Sequence, residues 1–545
     1  MVDSANARKI RGAFFTPEDL ADFVSQWAVR SSEDSILEPS CGEAAFLTSV
    51  GQRLRSLGAG TGLSTQLQGI EIHEGSAKSA SELLARQGLS ADIRIGNFFD
   101  LPGTRSLDAV VGNPPYVRYQ SFSGEARRKA QAIALQQGVR LDGLASSWAA
   151  FVVHAASFLK PEGRLGLVLP AELLTVNYAG PVRRFLMQRF AKVRLVLFEN
   201  LVFPGVLEEV LLLLAEGKGP TDHCEVCQAK DLTSLRDLKG ANWSPRNPEQ
   251  KWIDGLLPPE AAVLHEQLRS SASFSALLEW GKAELGAVTG NNKYFTLSRE
   301  TVSRLQLPER ELLRICPPSS RHLRGLSFPD ASWQEMAEAG DRAYLFFPDP
   351  KRPSMAARRY IQEGEEQGVD QAYKCRVRSP WWRVPLARVP DLFLTYMNHD
   401  TPRLVANEAR VLHLNSVHGV TLQGDRRQIG QDLLPIGMLN SLTLLGAELV
   451  GRSYGGGILK IEPKEAGRLP VPSLQTLERI ATKLRTLRHS AGRTLRNAEL
   501  MEVVDQVDRL LLVQHLGLGR DQIACLRQAR QTLFGRRNAR AAKTP

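Results

Sequence analysis

The chain has 545 residues, 43% hydrophobic and 23% charged, with a net charge of +11; it is too long for one core and ordinary for a globular protein of two or three domains. It contains no run of roughly 18 apolar residues and no apolar N-terminal core, so neither a membrane span nor a secretion signal is expected, and a cytoplasmic protein is. Most of the excess charge is local: residues 473–545 hold 14 Lys/Arg against 6 Asp/Glu, while 1–220 hold 23 against 22.

In chain order, residues 36–215 alternate short apolar strands with helical stretches. S-I-L-E-P-S (35–40) reads as the first strand, and the apolar spacing of 44–58 predicts a helix after it. Strands follow at 67–73, 91–99 and 107–115, the last stopped by two prolines. Residues 146–163 predict an amphipathic helix ending at Pro161–Gly163. Strands at 164–170, 193–199 and 208–216 complete the set, and the short link between the last two predicts a hairpin. This rhythm predicts a doubly wound, mainly parallel α/β sheet over 1–217. G-K-G-P-T-D-H (217–223) reads as a linker, and residues 218–472 predict a second, α+β domain. From 473 to 545 the pattern is helical, Leu/Arg-rich and basic.

The six cysteines, at 41, 224, 227, 316, 375 and 525, are too scattered for a disulfide framework. Cys224 and Cys227 form one C-x-x-C with no second pair, so a surface turn is expected there and no metal site.

N-P-P-Y (113–116) follows the strand L-D-A-V-V-G and so falls at a carboxyl end of the sheet, where open α/β folds bind ligands. Two prolines make that turn rigid. Rigidity serves a site in which the Asn113 side-chain oxygen and the Pro114 carbonyl aim at one amino group, with the Tyr116 ring placed to stack on a planar substrate. L-E-P-S-C-G (37–42) follows the first strand; Pro39 and Gly42 shape a tight loop that opens a helix, whose amides can approach a cofactor. The loop lacks G-x-G-x-x-G, which disfavours a dinucleotide. Glu71 ends the second strand, a place from which a carboxylate can accept from a ribose diol; alone it is an ordinary charged strand end.

The ordered set G-A-F-F-T-P (12–17), L-E-P-S-C-G (37–42), G-I-E-I-H (69–73), G-N-F-F (96–99), N-P-P-Y (113–116) and V-F-P-G (202–205) resembles the amino-methyltransferases of restriction–modification systems. Its order resembles their γ group of adenine-N6 enzymes. The resemblance is strong over 11–215. It continues weakly through V-T-G-N-N-K-Y-F (288–295), Y-G-G-G-I-L-K-I-E-P (454–463) and R-L-P-V-P (468–472), which resemble the family's DNA-reading domain. It implies a class I methyltransferase sheet, S-adenosyl-L-methionine as cofactor, and methylation at N6 of an adenine flipped out of double-stranded DNA. A separately encoded cognate restriction endonuclease is the implied partner.

Residue by residue, the resemblance implies that Thr16 contacts the methionine carboxylate of the cofactor. Glu38, Pro39 and the turn through Cys41 and Gly42 hold its amino-acid part, Glu71 its ribose, Phe98 its adenine, and Pro115 lines the same site. Asn113 and Pro114 accept from the target amino group, while Tyr116 and Phe203 sandwich the target base. Asn97 stands where the family usually has Asp; its amide oxygen still offers an acceptor to the cofactor's adenine amino group.

The same N-P-P-Y chemistry serves a protein glutamine amide or an RNA amino group. The T-P element, Phe203 and the long chain beyond favour DNA. In the second domain, K-C-R-V-R-S-P-W-W-R (374–383) interleaves Lys374, Arg376, Arg378 and Arg383 with Trp381 and Trp382. Such a stretch suits phosphate and groove contacts; a solvated face over two core tryptophans is the alternative. K-R-P-S-M-A-A-R-R (351–359) is a second basic cluster, and His418 is expected to be structural. The basic C-terminal segment fits either a polyanion partner or a merely solvated tail.

Overall fold

The computed structural model describes residues 16–60, 62–200, 202–203 and 209–539. Residues 12–15 of the T-P element, and Pro204 and Gly205 of V-F-P-G, lie outside them. The chain divides into two compact units, Met1–Leu256 and Leu257–Pro545.

The first unit is built on strands β1 Ile36–Glu38, β2 Leu67–Glu71, β3 Asp92–Ile95, β4 Leu107–Gly112, β5 Leu159–Pro170, β6 Lys192–Phe198, β7 Val210–Glu216, β8 Cys224–Ala229 and β9 Gly240–Trp243. Among the described residues they form one sheet in the order β3-β2-β1-β4-β5-β7-β6-β8-β9. Strands β1 to β5 pair in parallel, and β7 is inserted antiparallel between β5 and β6. The expected hairpin is therefore present. The longer helices among the described residues are α1 Glu18–Ala28, α2 Ala45–Ser56, α3 Glu74–Arg86, α4 Gly124–Gln136, α5 Ser147–Ala156 and α6 Gly180–Arg189. The inner strands are near-continuous apolar runs, as in L-L-L-L of β7, because helices cover the sheet on both faces. The order reverses between β2-β1 and β4-β5, and ligands of open α/β sheets bind outside the strand ends at such a point.

Two expectations for this unit change. Helix α5 ends at Ala156, not near Gly163, and all ten of its residues are buried, so it is a core helix and not amphipathic. Residues 159–163 already belong to β5, because Pro161 has no N–H to continue a helix. The unit also does not stop at 217. β8 pairs in parallel with β6, β9 pairs with β8, and the expected linker is a turn within the unit. Cys224 and Cys227 lie on β8 and not on a surface turn. Their odd spacing sends them to opposite faces, and burial raises their thiols to about 12 and about 11.

The second unit is α+β. Strands Gly281–Leu285, Val417–Leu422, Leu392–Thr395 and Leu404–Ala406 form an antiparallel sheet in that order. Smaller strand sets surround it, including Thr296–Leu297, Tyr344–Phe346 and Leu312–Arg314. The helices Leu474–Arg496 and Arg520–Ala539 pack on Arg427–Gly437 and Ser441–Val450 respectively, so the segment after 473 belongs to this unit and is not separate from it. Several of its arginines pair within the unit, while Arg479, Arg493, Arg496, Arg509 and Arg520 are exposed. Arg485 and Arg488 pair with Asp432, Arg527 pairs with Asp505 and Asp508, and buried Arg537 pairs with buried Glu448 at 2.8 Å. The acids at 432 and 448 precede residue 473, which is why the segment looked like an unbalanced tail in sequence. Among the described residues, no single helix is long and apolar enough to cross a membrane.

Candidate active site

The carboxyl ends of β1, β2, β3 and β4 bring the expected site residues of the first unit together. After β1 the chain turns through Gly42, at φ +49°, where an added Cβ would meet no atom within 4 Å. The loop therefore opens on free space. The Gly42 N–H donates to Glu71 Oε2 at 2.9 Å, and the His73 N–H donates to Glu71 Oε1 at 2.8 Å. Two amides thus fix the carboxylate, and each oxygen keeps lone-pair capacity for a hydroxyl.

Glu38 does not line that space. It is buried, and its Oε2 accepts from the Leu47 N–H, in the first turn of α2, at 3.0 Å. Burial, reinforced by the nearby Glu71 carboxylate, pushes its pKa well up. Cys41 is also buried; burial, then the Glu38 and Glu71 charges, raise its thiol, and its N–H ties the loop to the Ile70 carbonyl at 2.9 Å. Pro39 is buried behind the loop. These residues shape the loop from within.

Asn97 Oδ1 accepts from the Phe99 N–H at 3.1 Å, capping a short helical turn. Phe98 is only 2% exposed, within an aromatic group whose centroids lie 4.4 Å (His154), 5.1 Å (Phe151) and 5.4 Å (Phe158) away. The exposed apolar surface here is Ile72, 68% exposed and directly after Glu71, with Ile95 beside it at the end of β3. The sequence reading missed both. For Ile72 the available signal was an apolar residue just past the last paired position of a strand that carries a site residue.

N-P-P-Y closes the group from β4. Asn113 Oδ1 accepts from the Tyr116 hydroxyl at 2.7 Å, and Asn113 Nδ2 donates to Thr16 Oγ1 at 3.3 Å. The Tyr116 hydroxyl also lies 3.0 Å from the Val168 carbonyl of β5. Pro114 is buried and Pro115 half-buried. Tyr116 packs against the core cluster that contains Phe203.

The six basic and aromatic residues of 374–383 separate into two groups. Lys374 and Arg376 are exposed. Arg378 donates to the carbonyls of Thr289, at 2.8 Å, and Val288, and Arg383 to that of Pro348 at 2.9 Å while covering the Phe347 ring. Trp381 packs on Tyr294 and Phe295 and donates to Glu365, and Trp382 stands edge-on to it. The tryptophans therefore join a core cluster. His418 is buried, with Nε2 2.8 Å from the Ile461 carbonyl.

The parallel sheet, its inserted β7 and the clustered strand ends define a class I methyltransferase. The N-6 DNA Methylase family matches residues 2–247, and the C-terminal domain of the Type II methyltransferase M.Eco57I matches 249–512. The chain is 22% identical over 535 residues to the Type II methyltransferase M.AccI of Acinetobacter calcoaceticus, covering 93% of this chain and 94% of that one. It is 24% identical over 483 residues to M.XamI of Xanthomonas campestris pv. amaranthicola, covering 86% of each. The type IIL restriction-modification enzyme MmeI, solved in complex with DNA, shares the fold at a TM-score of 0.58 and 12% identity, covering 98% of this chain and 80% of that one. The chain belongs to the N6-adenine DNA methyltransferases of restriction–modification systems.

Proposed function

We propose that the first unit transfers a methyl group from S-adenosyl-L-methionine to N6 of an adenine flipped out of double-stranded DNA, with Asn113 and Pro114 as the acceptors of the target amino group. The observation that carries this is the Thr16–Asn113–Tyr116 chain of hydrogen bonds, which fixes the Asn113 amide at the carboxyl end of β4.

The residues present suit the cofactor. An open loop at Gly42, a carboxylate at Glu71 held by two amides, and an exposed apolar surface at Ile72 meet the needs of a compound with a ribose diol and an adenine ring. We assign the ribose to Glu71 and the adenine to Ile72, with Phe98 supporting from the core. We assign Gly42 and Pro115 to the walls, and Glu38, Pro39 and Cys41 to shaping the loop. Thr16 stays near the methionine end through its contact with Asn113. When bound, the cofactor supplies an electrophilic methyl group.

The chain's own task is to make an amino nitrogen nucleophilic. The N6 lone pair of adenine is delocalised into the ring. Two acceptors on its two N–H bonds draw the nitrogen toward a tetrahedral shape and localise that pair, an electrostatic and positional effect. The Asn113 Oδ1 atom and the Pro114 carbonyl supply them. Flipping the base costs a few kcal/mol, and stacking on an aromatic ring returns about 1–3 kcal/mol per base. Tyr116 is placed for that, with Phe203 in the wall beside it.

Lys374 and Arg376 are the members of the 374–383 stretch left for DNA phosphates; the rest of the stretch builds the second unit. What supports a cognate restriction endonuclease as partner is that the relatives are Type II methyltransferases. Titration of the Asn113→Ala variant with cofactor, beside its methyl-transfer rate on DNA, tests the assignment: cofactor binding should survive and transfer should vanish.

A further inference from the structure

We infer that Ser147 is a positioning residue for methyl transfer, setting which proline carbonyl of N-P-P-Y faces the target amino group. Ser147 is the first residue of α5 and is buried. Its hydroxyl donates to the Pro115 carbonyl and accepts from the Val117 N–H at 2.9 Å. Its own N–H donates to the Val117 carbonyl at 3.0 Å. One residue therefore holds the chain on both sides of Tyr116.

The sequence makes this hold necessary. Pro114 and Pro115 lack N–H groups, so the turn cannot close itself with main-chain donors at those positions. Asn113 and Pro114 each precede a proline, which favours extended backbone. A proline that precedes a proline takes polyproline II backbone, in which successive carbonyls are turned by about 120° from one another. Holding the Pro115 carbonyl toward α5 therefore fixes the direction of the Pro114 carbonyl, turned away from α5.

The start of α5 is itself held. The Tyr178 hydroxyl donates to Glu172 Oε2 at 2.5 Å and lies 3.1 Å from Ser146 Oγ. The indole N–H of fully buried Trp148 points at the same pair, 3.1 Å from the Tyr178 oxygen and 3.3 Å from Glu172 Oε2. These contacts flank Ser147 in sequence on both sides and anchor the start of α5 from which it reaches the loop.

This inference rests on the reading of Asn113 and Pro114 as the acceptors. The test is single-turnover transfer of a tritiated methyl group from S-adenosyl-L-methionine to plasmid DNA from a host lacking adenine methylation, with the full chain in excess. The wild type is compared with Ser147→Ala, Ser147→Thr and Asn113→Ala. Ser147→Ala should lower the rate about tenfold or more, since misplacing a reacting group by 1 Å can cost about a hundredfold. Its dissociation constants for cofactor and for DNA should stay within about twofold of wild type, because Ser147 itself is buried and touches neither, and Glu71, Gly42 and the exposed Lys374 and Arg376 are unchanged. Ser147→Thr keeps the hydroxyl and should recover most of the rate. A wild-type rate in Ser147→Ala would overturn the inference, as would a lost rate that Ser147→Thr does not recover. A loss of rate matched by lost cofactor affinity would also overturn it and assign Ser147 to folding alone. A wild-type rate in Asn113→Ala would instead sink the underlying reading, whatever Ser147 does.

Discussion

The Tyr116 hydroxyl donates to Asn113 Oδ1 across 2.7 Å, so the oxygen assigned to the target amino group already carries one proton donor. An amide oxygen has two lone pairs, and this bond consumes one while fixing the side-chain rotamer. Tyr116 then serves both as stacking ring and as anchor. Tyr116→Phe keeps the ring and removes the anchor, and should slow single-turnover methylation about two- to tenfold, the worth of one neutral hydrogen bond. Tyr116→Ala should cost more, since the ring goes too. Equal rates for the wild type and both variants would remove Tyr116 from the site.

Glu71 is held by the amides of Gly42 and His73, so its loss unties the loop as well as the ribose contact. Glu71→Ala should weaken cofactor binding by about tenfold or more, measured by calorimetry, since charged hydrogen bonds contribute about 1.5–3 kcal/mol. Ile72→Asp should also weaken it, through lost apolar contact, while leaving the melting temperature near that of the wild type, because the side chain is exposed. Unchanged affinity in both variants would move the cofactor elsewhere.

Arg537 and Glu448 are 3% and 4% exposed, and the arginine also donates to the His399 carbonyl at 3.0 Å. Arg537→Ala leaves a carboxylate buried without its partner, a change that costs about 3–5 kcal/mol. Urea unfolding should show that loss. The salt dependence of DNA binding by the folded variant should stay as in the wild type, because the charge never faced solvent. A shallower salt slope with unchanged stability would restore the C-terminal helix as a phosphate contact.

Lys374 and Arg376 are exposed, whereas Arg378 and Arg383 are tied to carbonyls. Lys374→Ala and Arg376→Ala should each lower the slope of log affinity against log salt by about one, without changing stability. Arg378→Ala should destabilise the second unit. The reverse pattern would place the DNA phosphates on the other pair.

Burial holds His265, His322 and His413 of the second unit down at about 4, from 6.5. The folded unit keeps these rings neutral, while the unfolded chain takes up protons below 6.5. Stability from their burial is complete above that value and is lost as pH falls toward 4. The melting temperature should fall between about pH 7.5 and about pH 5, and His413→Gln should shrink that fall. A fall of the same size in the variant would exclude His413 as a contributor.

What the sequence discloses follows from what a local signal can carry. L-D-A-V-V-G is a strand because a parallel strand buried on both faces must be apolar throughout, and N-P-P-Y must follow it at the sheet's carboxyl edge. The hairpin of β6 and β7 was legible from the short link between two apolar runs. Ser147 was not legible: its partners, Pro115 and Val117, lie 32 and 30 residues away and meet it only in the folded unit. The pairing of Arg485, Arg488 and Arg537 was not legible, because composition counts charges without their partners, and Asp432 and Glu448 stand far upstream. Cys224 and Cys227 misled because a C-x-x-C looks alike on a turn and on a strand, and only β6 pairing with β8 tells them apart. Phe98 was expected at the cofactor's adenine but lies in the core, and Ile72, given no role in the sequence, is left exposed, since an aromatic side chain near a strand end can be drawn inward while an aliphatic one stays outside.

The most direct test is methylation-sensitive sequencing of DNA from cells expressing the chain, beside cells expressing Asn113→Ala at the same level. N6-methyladenine at one recurring sequence, absent with the variant, is the predicted result. No new adenine methylation from a well-folded, cofactor-binding wild type, or the same mark from both proteins, would contradict the account.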